Sequence, residues 1–329
     1  MKILYAIQGT GNGHISRARD IIPALQKYGE VDILISGHQS DILLPYEVKY
    51  RYRGLSFILN KRGGVDFLKT LKEAKLVTLW KEIKEVPVEE YKLVINDFEP
   101  VSAWASYKKN IPCIALSHQS AVIHPNAPKP KKKSALGSFI LKKYAPSSEQ
   151  YGFHFETYAD NIYPPVIRKE IREAVVEDKG HYTVYLPSYG DQELISLLSQ
   201  VKNTCWEVFS KYAKHHRQQA NVSIFPINNE EYIRSLRQSR GLLCNAGFEG
   251  PSEALYLGKK LMVTPQQAQY EQYCNAAAMA QMGVPIIKKL NAKHLHRLQT
   301  WVDSEKKIVR QFPDITDQVI QEIVTRYLC

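Results

Sequence analysis

Between Leu242 and Ala276 the chain reads LLCNAGFEGPSEALYLGKKLMVTPQQAQYEQYCNA, a succession suited to binding an anion and reading hydroxyls. An apolar strand runs into a Gly-rich turn, a helix start, a second apolar strand and a polar loop that feeds another helix. Gly250 is predicted as a helix N-cap and Pro251 as the first helical residue, where a missing N–H costs nothing. Free N–H groups in such a turn, with about half a positive charge from the helix dipole, suit a diphosphate. Glu253 then falls at the third helical position. Because Gly250 lacks the hydroxyl of a capping box, Glu253 can either offset the helix dipole or accept from both hydroxyls of a ribose. Asn245, Gly247 and Phe248 belong to the same turn. Glu271, Gln272 and Asn275 open the next helix, where acid and amide groups can read sugar hydroxyls. Farther upstream, Ser188 and Gly190 follow a strand end at Tyr185 in a small-residue turn that also fits a phosphate.

The first half carries groups of another kind. Gly9-Thr10-Gly11-Asn12-Gly13-His14 follows the first apolar strand. A dinucleotide fingerprint needs a third Gly where His14 stands and an acid closing the second strand, where the chain has Ser36-Gly37. Both are missing, so nicotinamide and flavin cofactors are not expected. The turn instead aims an imidazole into a cleft from a helix N-terminus, whose positive end is expected to lower the pKa of His14 and keep it neutral. Capping by His14 is the alternative. Asp97 closes the strand Leu93–Asn96 and is expected either to orient His14 or to cap the helix that Pro100 begins. His118-Gln119 closes the next strand and can bind acceptor hydroxyls or line the crevice.

These groups sit at the ends of short apolar, β-branched runs at 2–7, 31–36, 92–96, 111–116, 182–187, 221–225, 240–244 and 259–264. Ile15, Ala18, Ile21, Ile22 and Leu25 keep helical spacing between the first two, with Pro23 expected to kink that helix. Apolar strands separated by helices imply parallel sheets covered on both faces. The series pauses at Tyr163-Pro164-Pro165 and restarts at Tyr182. The fold class is therefore α/β: two Rossmann-like, doubly wound parallel-sheet domains facing each other across a cleft, at 1–164 and 165–329. Ligands of such sheets bind at the carboxyl ends of the strands.

Bulk composition agrees with a globular chain. Of 329 residues, 44% are hydrophobic and 23% charged, and no apolar run is long enough to span a bilayer. The apolar stretch at the N-terminus is too short for a signal peptide. Five scattered cysteines imply reduced thiols, no zinc knuckle and a cytoplasmic location. The net charge of +11 is uneven, with 23 Lys/Arg against 16 Asp/Glu in the first 164 residues. Its sharpest feature is Lys129-Pro130-Lys131-Lys132-Lys133, which can attract anionic headgroups at a membrane surface or simply be a solvated loop. No nucleic-acid module is visible, and nucleic acid is not an expected partner.

Taken as an ordered set, these segments resemble the two-domain GT-B glycosyltransferases. The likeness is to the family 28 group with the peptidoglycan lipid-intermediate N-acetylglucosaminyltransferase, and to the UDP-glycosyltransferases. A little-characterised prokaryotic branch is most similar, through Gly13-His14-Ile15-Ser16-Arg17-Ala18, Asp97-Phe98-Glu99-Pro100, Cys244–Phe248, Ser252–Ala254 and Glu271–Ala276. The resemblance implies an acceptor-binding first domain, with Gly11, Gly13, Arg17, His118 and Gln119 on the acceptor. It implies a nucleotide-sugar, most simply UDP-linked, in the second domain. There Ser188, Gly190, Asn245 and Gly247 to Gly250 would face the diphosphate, Glu253 the ribose, Glu271-Gln272 the sugar, and Ile227 the base through its backbone. His14 would be the catalytic base and Asp97 its partner. The chain departs from the plant pattern at Asn245, where a His would contact phosphate. Neither metal nor cofactor is implied, because the nucleotide-sugar is a substrate. The last helix is expected to pack back on the first domain. The acceptor is expected to be a lipid-linked or cell-envelope glycan met at the inner face of the membrane. A nucleotide-sugar epimerase or hydrolase on the same fold, and a non-catalytic sugar-nucleotide or lipid-binding protein, are the alternatives.

Overall fold

A computed structural model describes residues 1–37, 44–55, 76–132 and 134–328. Seven strands form the first sheet: β1 (Lys2–Gln8), β2 (Glu30–Ser36), β3 (Tyr50–Tyr52), β4 (Leu93–Asp97), β5 (Cys113–Leu116), β6 (Glu149–Phe153) and β7 (Ile162–Tyr163). Their order is β3-β2-β1-β4-β5-β6-β7, and every pairing is parallel. The second sheet holds β8 (His181–Tyr185), β9 (Cys205–Ser210), β10 (Arg217–Gln219), β11 (Val222–Pro226), β12 (Gly241–Asn245) and β13 (Lys260–Thr264). It runs β10-β11-β9-β8-β12-β13, parallel except where the three-residue edge strand β10 turns back on β11. The expected pair of doubly wound parallel-sheet domains is therefore the architecture observed.

Each sheet reverses its winding once. In the first, the chain passes from β1 to β2 on one side and returns to β4 on the other; in the second, β8 lies between β9 and β12. At such a switch point the loops leave their strands in opposite directions and open a crevice. The loops after β1 and β4 carry Gly9–Gly11 and Phe98, while those after β8 and β12 carry Leu186–Gly190 and Ala246–Phe248. Every motif singled out from sequence in these four loops lies at one of these two crevices.

The interiors explain why the strands form. Ile3, Tyr5 and Ile7 on β1 pack one way, and Leu4 and Ala6 the other, all fully buried. Strands covered on both faces need no polar alternation, which is why they read as continuous apolar runs. The last helix, Thr316–Leu328, lies against the first domain. Lys27 Nζ donates to Asp317 at 2.6 Å, Tyr327 to Glu149 at 2.8 Å, and Tyr163 to Glu322 at 2.9 Å. Pro23 is accommodated inside the helix Asn12–Gln26 without ending it.

Where two roles for Asp97 were open, the local fold assigns the cap elsewhere. Phe98 adopts a left-handed φ of 58°, and Glu99 behind it caps the helix Pro100–Lys109. Its buried carboxylate accepts from Val101 N at 2.6 Å, Ser102 N at 2.7 Å and Ser36 Oγ at 2.5 Å. Asn96 braces the same turn by donating to the Glu99 carbonyl and accepting from its N–H. Replacing Glu99 by Ala should cost about 2 kcal/mol, since it removes a cap and strands buried donors. Urea denaturation measures this, and a loss below about 0.5 kcal/mol would mean the cap is dispensable.

Candidate active site

On the first-domain side, Gly11 begins the helix Asn12–Gln26 with a φ of 96° and no side-chain cap. That conformation suits glycine and brings His14 to the crevice. His14 Nδ1 lies 2.9 Å from Asp97 Oδ1. Since a carboxylate can only accept, Nδ1 carries a hydrogen, and in the neutral ring the lone pair lies on Nε2. Gln119 Nε2 stands 3.5 Å from that nitrogen and donates to Glu271 Oε2 at 3.0 Å. Asp97 is wholly buried and also receives Arg17: NH2 at 2.9 and 2.8 Å on its two oxygens, and Nε at 3.2 Å.

The electrostatics correct one expectation. Burial pulls the His14 pKa down, but the charge and hydrogen bond of Asp97, helped by Glu249, outweigh burial and Arg17. The value is raised from 6.5. A helix terminus contributes a partial charge spread over several N–H groups, whereas Asp97 is a full charge in contact, so the dipole loses. Asp97 is itself held below its ordinary value: burial pushes up, and Arg17 and His14 pull down harder. For His118 burial prevails and the value falls.

In the second domain the helix begins at Glu249 rather than after Gly250, with Phe248 in the cap position and no side-chain cap. Pro251 thus sits third, still within the turn whose N–H groups have no helical partner. A Cβ at Gly247 or Gly190 would meet nothing within 4 Å, so both turns face open space. Gly190 caps the helix Asp191–Leu198, again without a side-chain bond, and Ser188 lies in the turn before it. Asn245 Oδ1, at the end of β12, is buried without a hydrogen-bond partner among the described residues. Ile227 follows β11, separated from β12 by β9 and β8.

Two expected sugar and ribose readers are occupied by protein. Glu253 is 3% exposed and paired with Arg168, whose Nε and NH2 donate to its two oxygens at 2.5 and 2.9 Å. Gln272 folds back on its own loop, accepting from Gln266 N at 2.8 Å. Of the expected pair, only Glu271 reaches the first domain.

The two halves meet directly. Phe248 stacks on His118 with centroids 3.9 Å apart. His118 Nε2 lies 2.8 Å from Asn275 Oδ1. Glu249 crosses to pair with Arg17 NH1, and Gly13 makes room for it: a Cβ there would overlap the Glu249 carboxylate. Sequence reasoning placed Arg17 on the acceptor, yet this side chain is 2% exposed and its nitrogens are spent on Asp97 and Glu249. It missed Glu249, although that residue lies inside a quoted motif, and Arg168, which no motif marks. Among the described residues, no three His, Cys, Asp or Glu side chains converge to hold a metal ion.

Comparison with known proteins bears on this geometry. Residues 1–304 match the family described as Glycosyl transferase family 1. No curated protein matches the chain. Among solved structures, the glycosyltransferase SnogD from Streptomyces nogalater is similar at 14% identity and a TM-score of 0.56, covering 99% of each chain. A UDP-glucosyltransferase from Polygonum tinctorium is similar at 12% identity and a TM-score of 0.59, covering 100% of this chain and 98% of that one. Acinetobacter baumannii MurG aligns at 12% identity and a TM-score of 0.51, covering 99% and 94%. At such identities the likeness concerns the fold.

The raised His14 value has a thermodynamic consequence. Stability from its pairing is fully present below the unfolded-state value near 6.5 and is lost as pH rises through the higher folded-state value. His14→Gln should therefore cost more stability at about pH 6 than at about pH 9. Urea midpoints at the two pH values decide this; a larger loss at the higher pH would contradict the assignment.

Proposed function

The chain belongs to glycosyl transferase family 1, and on that premise we propose that it moves a sugar from a nucleotide-sugar, UDP-linked, to a hydroxyl of a lipid-linked or cell-envelope glycan. The observation that carries this reading is the meeting of unlike halves. An imidazole held at Nδ1 by a buried carboxylate faces a Gly-rich turn and an uncapped helix start on the other domain.

The displacement is inverting. The acceptor oxygen attacks the anomeric carbon as its proton passes to His14 Nε2, and the bond from that carbon to the diphosphate breaks. Asp97 keeps Nδ1 protonated and steadies the imidazolium that forms. Backbone N–H groups of Gly247 to Gly250, with those of the turn at Ser188 and Gly190, receive the charge on the leaving diphosphate, a task that metals perform elsewhere. Asn245 Oδ1, buried and unpartnered, needs a donor there, which a hydroxyl-bearing donor substrate can supply. Glu253 takes the ribose hydroxyls on the lone pairs that Arg168 does not use, which requires its buried carboxylate to become accessible as the donor binds. Glu271, held by Gln119 beside His14, reads the transferred sugar, and Gln272 supports its loop. Gly11 and Gly13 let the acceptor approach backbone, with His118 and Gln119 as the wall of its crevice. Gln119 also lines a small separate cavity with Phe98 and Ser147, and there Gln119 Oε1 and Ser147 Oγ are buried without a partner among the described residues.

The lipid-facing part of the reading draws on the helix Ala135–Lys143. Leu136 and Phe139 are 55% and 62% exposed, one turn apart, beside Lys142 and Lys143. Lys131 and Lys132 are exposed nearby. Lys133 lies outside the described residues, and Lys129 turns inward, donating to the carbonyls of His124 and Ala127. No helix among the described residues is long and apolar enough to cross a membrane. Flotation with phosphatidylglycerol vesicles, but not phosphatidylcholine vesicles, is expected, and Leu136→Ser/Phe139→Ser should abolish it. Equal partition to both vesicles would remove the membrane from the account.

Thermal-shift screening of UDP-, dTDP- and GDP-sugars identifies the donor, and incubation with that donor alone distinguishes a hydrolase or epimerase by release of free sugar or epimer. With donor in hand, His14→Ala should lower transfer by about 10² to 10⁴ while leaving calorimetric donor affinity intact. Glu253→Ala should instead weaken nucleotide binding. Transfer within twofold of wild type in the His14 variant would end the base assignment.

A further inference from the structure

The Glu249 side chain has no part in the displacement described above, yet it makes an ionic contact between the domains. It is the first residue of the second-domain helix that begins in the Gly-rich turn. Its carboxylate pairs with NH1 of Arg17, the guanidinium nitrogen that Asp97 does not take. It also lies against Gly13, at the start of a helix with no side-chain cap and no acid of its own in the first turn. A helix N-terminus of this kind favours a negative charge. Here the other domain provides it.

We propose that Glu249 is a positioning residue through which docking of the second domain is transmitted, by way of Arg17 and Asp97, to His14. The inference rests on His14 being the base. Charge bookkeeping gives the sense of the effect. With the domains apart, His14 faces Asp97 and Arg17, one negative and one positive charge. Docking adds Glu249 and makes the surroundings net negative, so His14 becomes the stronger base when the helix meant for the donor arrives. Among the described residues, Glu271 of the second domain is linked to His14 through Gln119, which donates to it. His118, Arg17's neighbour Tyr5 and the remaining groups nearby are not in hydrogen-bond contact with it. The contributions to the His14 pKa have the same signs: Asp97 and Glu249 raise it, and Arg17 lowers it.

The geometry also fixes the ion pair in space. Arg17 is held on Asp97 by three contacts, so it cannot follow Glu249 if the second domain moves away. If the second domain moves away, the Arg17–Glu249 bond breaks while Arg17–Asp97 persists. An ion pair whose charge is not felt at His14 would stabilise the docked state and leave the imidazole's titration alone.

The test follows the His14 Cε1–Hε1 resonance against pH in the full chain labelled with carbon-13 histidine, the resonance being assigned by its loss in His14→Ala. Neither donor nor acceptor is needed. Glu249→Gln removes the charge and keeps the shape. Gly13→Ala removes no charge but puts a methyl where the carboxylate sits. Both should lower the His14 titration midpoint by about half a pH unit, the size expected for a unit charge within several ångströms in partly screened surroundings. Glu249→Asp should recover part of the shift. Midpoints in Glu249→Gln and Gly13→Ala that coincide with wild type would overturn the proposal, even if melting temperature fell. The base assignment stands or falls separately, on the transfer activity of His14→Ala.

Discussion

One buried guanidinium ties the two half-sites together by charge. Arg17 is buried, and its nitrogens divide between Asp97 on its own domain and Glu249 on the other. An uncompensated charge in that position would be costly, so Arg17 needs Asp97 beside it, and Glu249 adds a second acid where the domains meet. Around this ion set the remaining features fall into place. Asp97 is kept ionised, it holds His14 by Nδ1, and Nε2 is turned to the crevice shared with Gln119 and Glu271. Phe248 stacked on His118 seals the adjoining part of the domain boundary.

The arrangement divides labour according to fold. Each sheet opens a crevice at its switch point, and the two crevices confront each other. The first supplies side chains with defined protonation, which proton transfer requires. The second supplies backbone N–H groups and glycines open to space, which suit a spread negative charge. Each domain thus brings what the other lacks, so chemistry depends on their docking.

Much of this was legible in the chain. The buried strands β1, β2, β4, β5, β8, β11, β12 and β13 read as apolar runs because both faces are covered. Strands β6 and β9 did not, since Glu149-Gln150 and Glu207 interrupt them with polar residues at positions the sheet tolerates. The His14–Asp97 pair was legible because His14 opens the helix after β1 and Asp97 ends β4, two strands that lie side by side at the switch point. The sign of the His14 pKa was not, since it depends on a contact distance and not on a position along a helix. Arg168–Glu253 and Arg17–Glu249 were hidden for a similar reason. Their partners are 85 and 232 residues apart, and only docking of distant segments brings them together. Asp97-x-Glu99 shows the limit of local reading: two acids one residue apart with opposite tasks, separated by the left-handed backbone of Phe98.

The central claim is that the second-domain turn, and not the Gly-rich turn after β1, receives the diphosphate. A crystal structure of the protein with UDP tests it most directly. The account predicts diphosphate oxygens within hydrogen-bond distance of backbone N–H groups at Gly247 to Gly250, with His14 across the cleft. A diphosphate seated on Gly9 to Gly13 instead would contradict it.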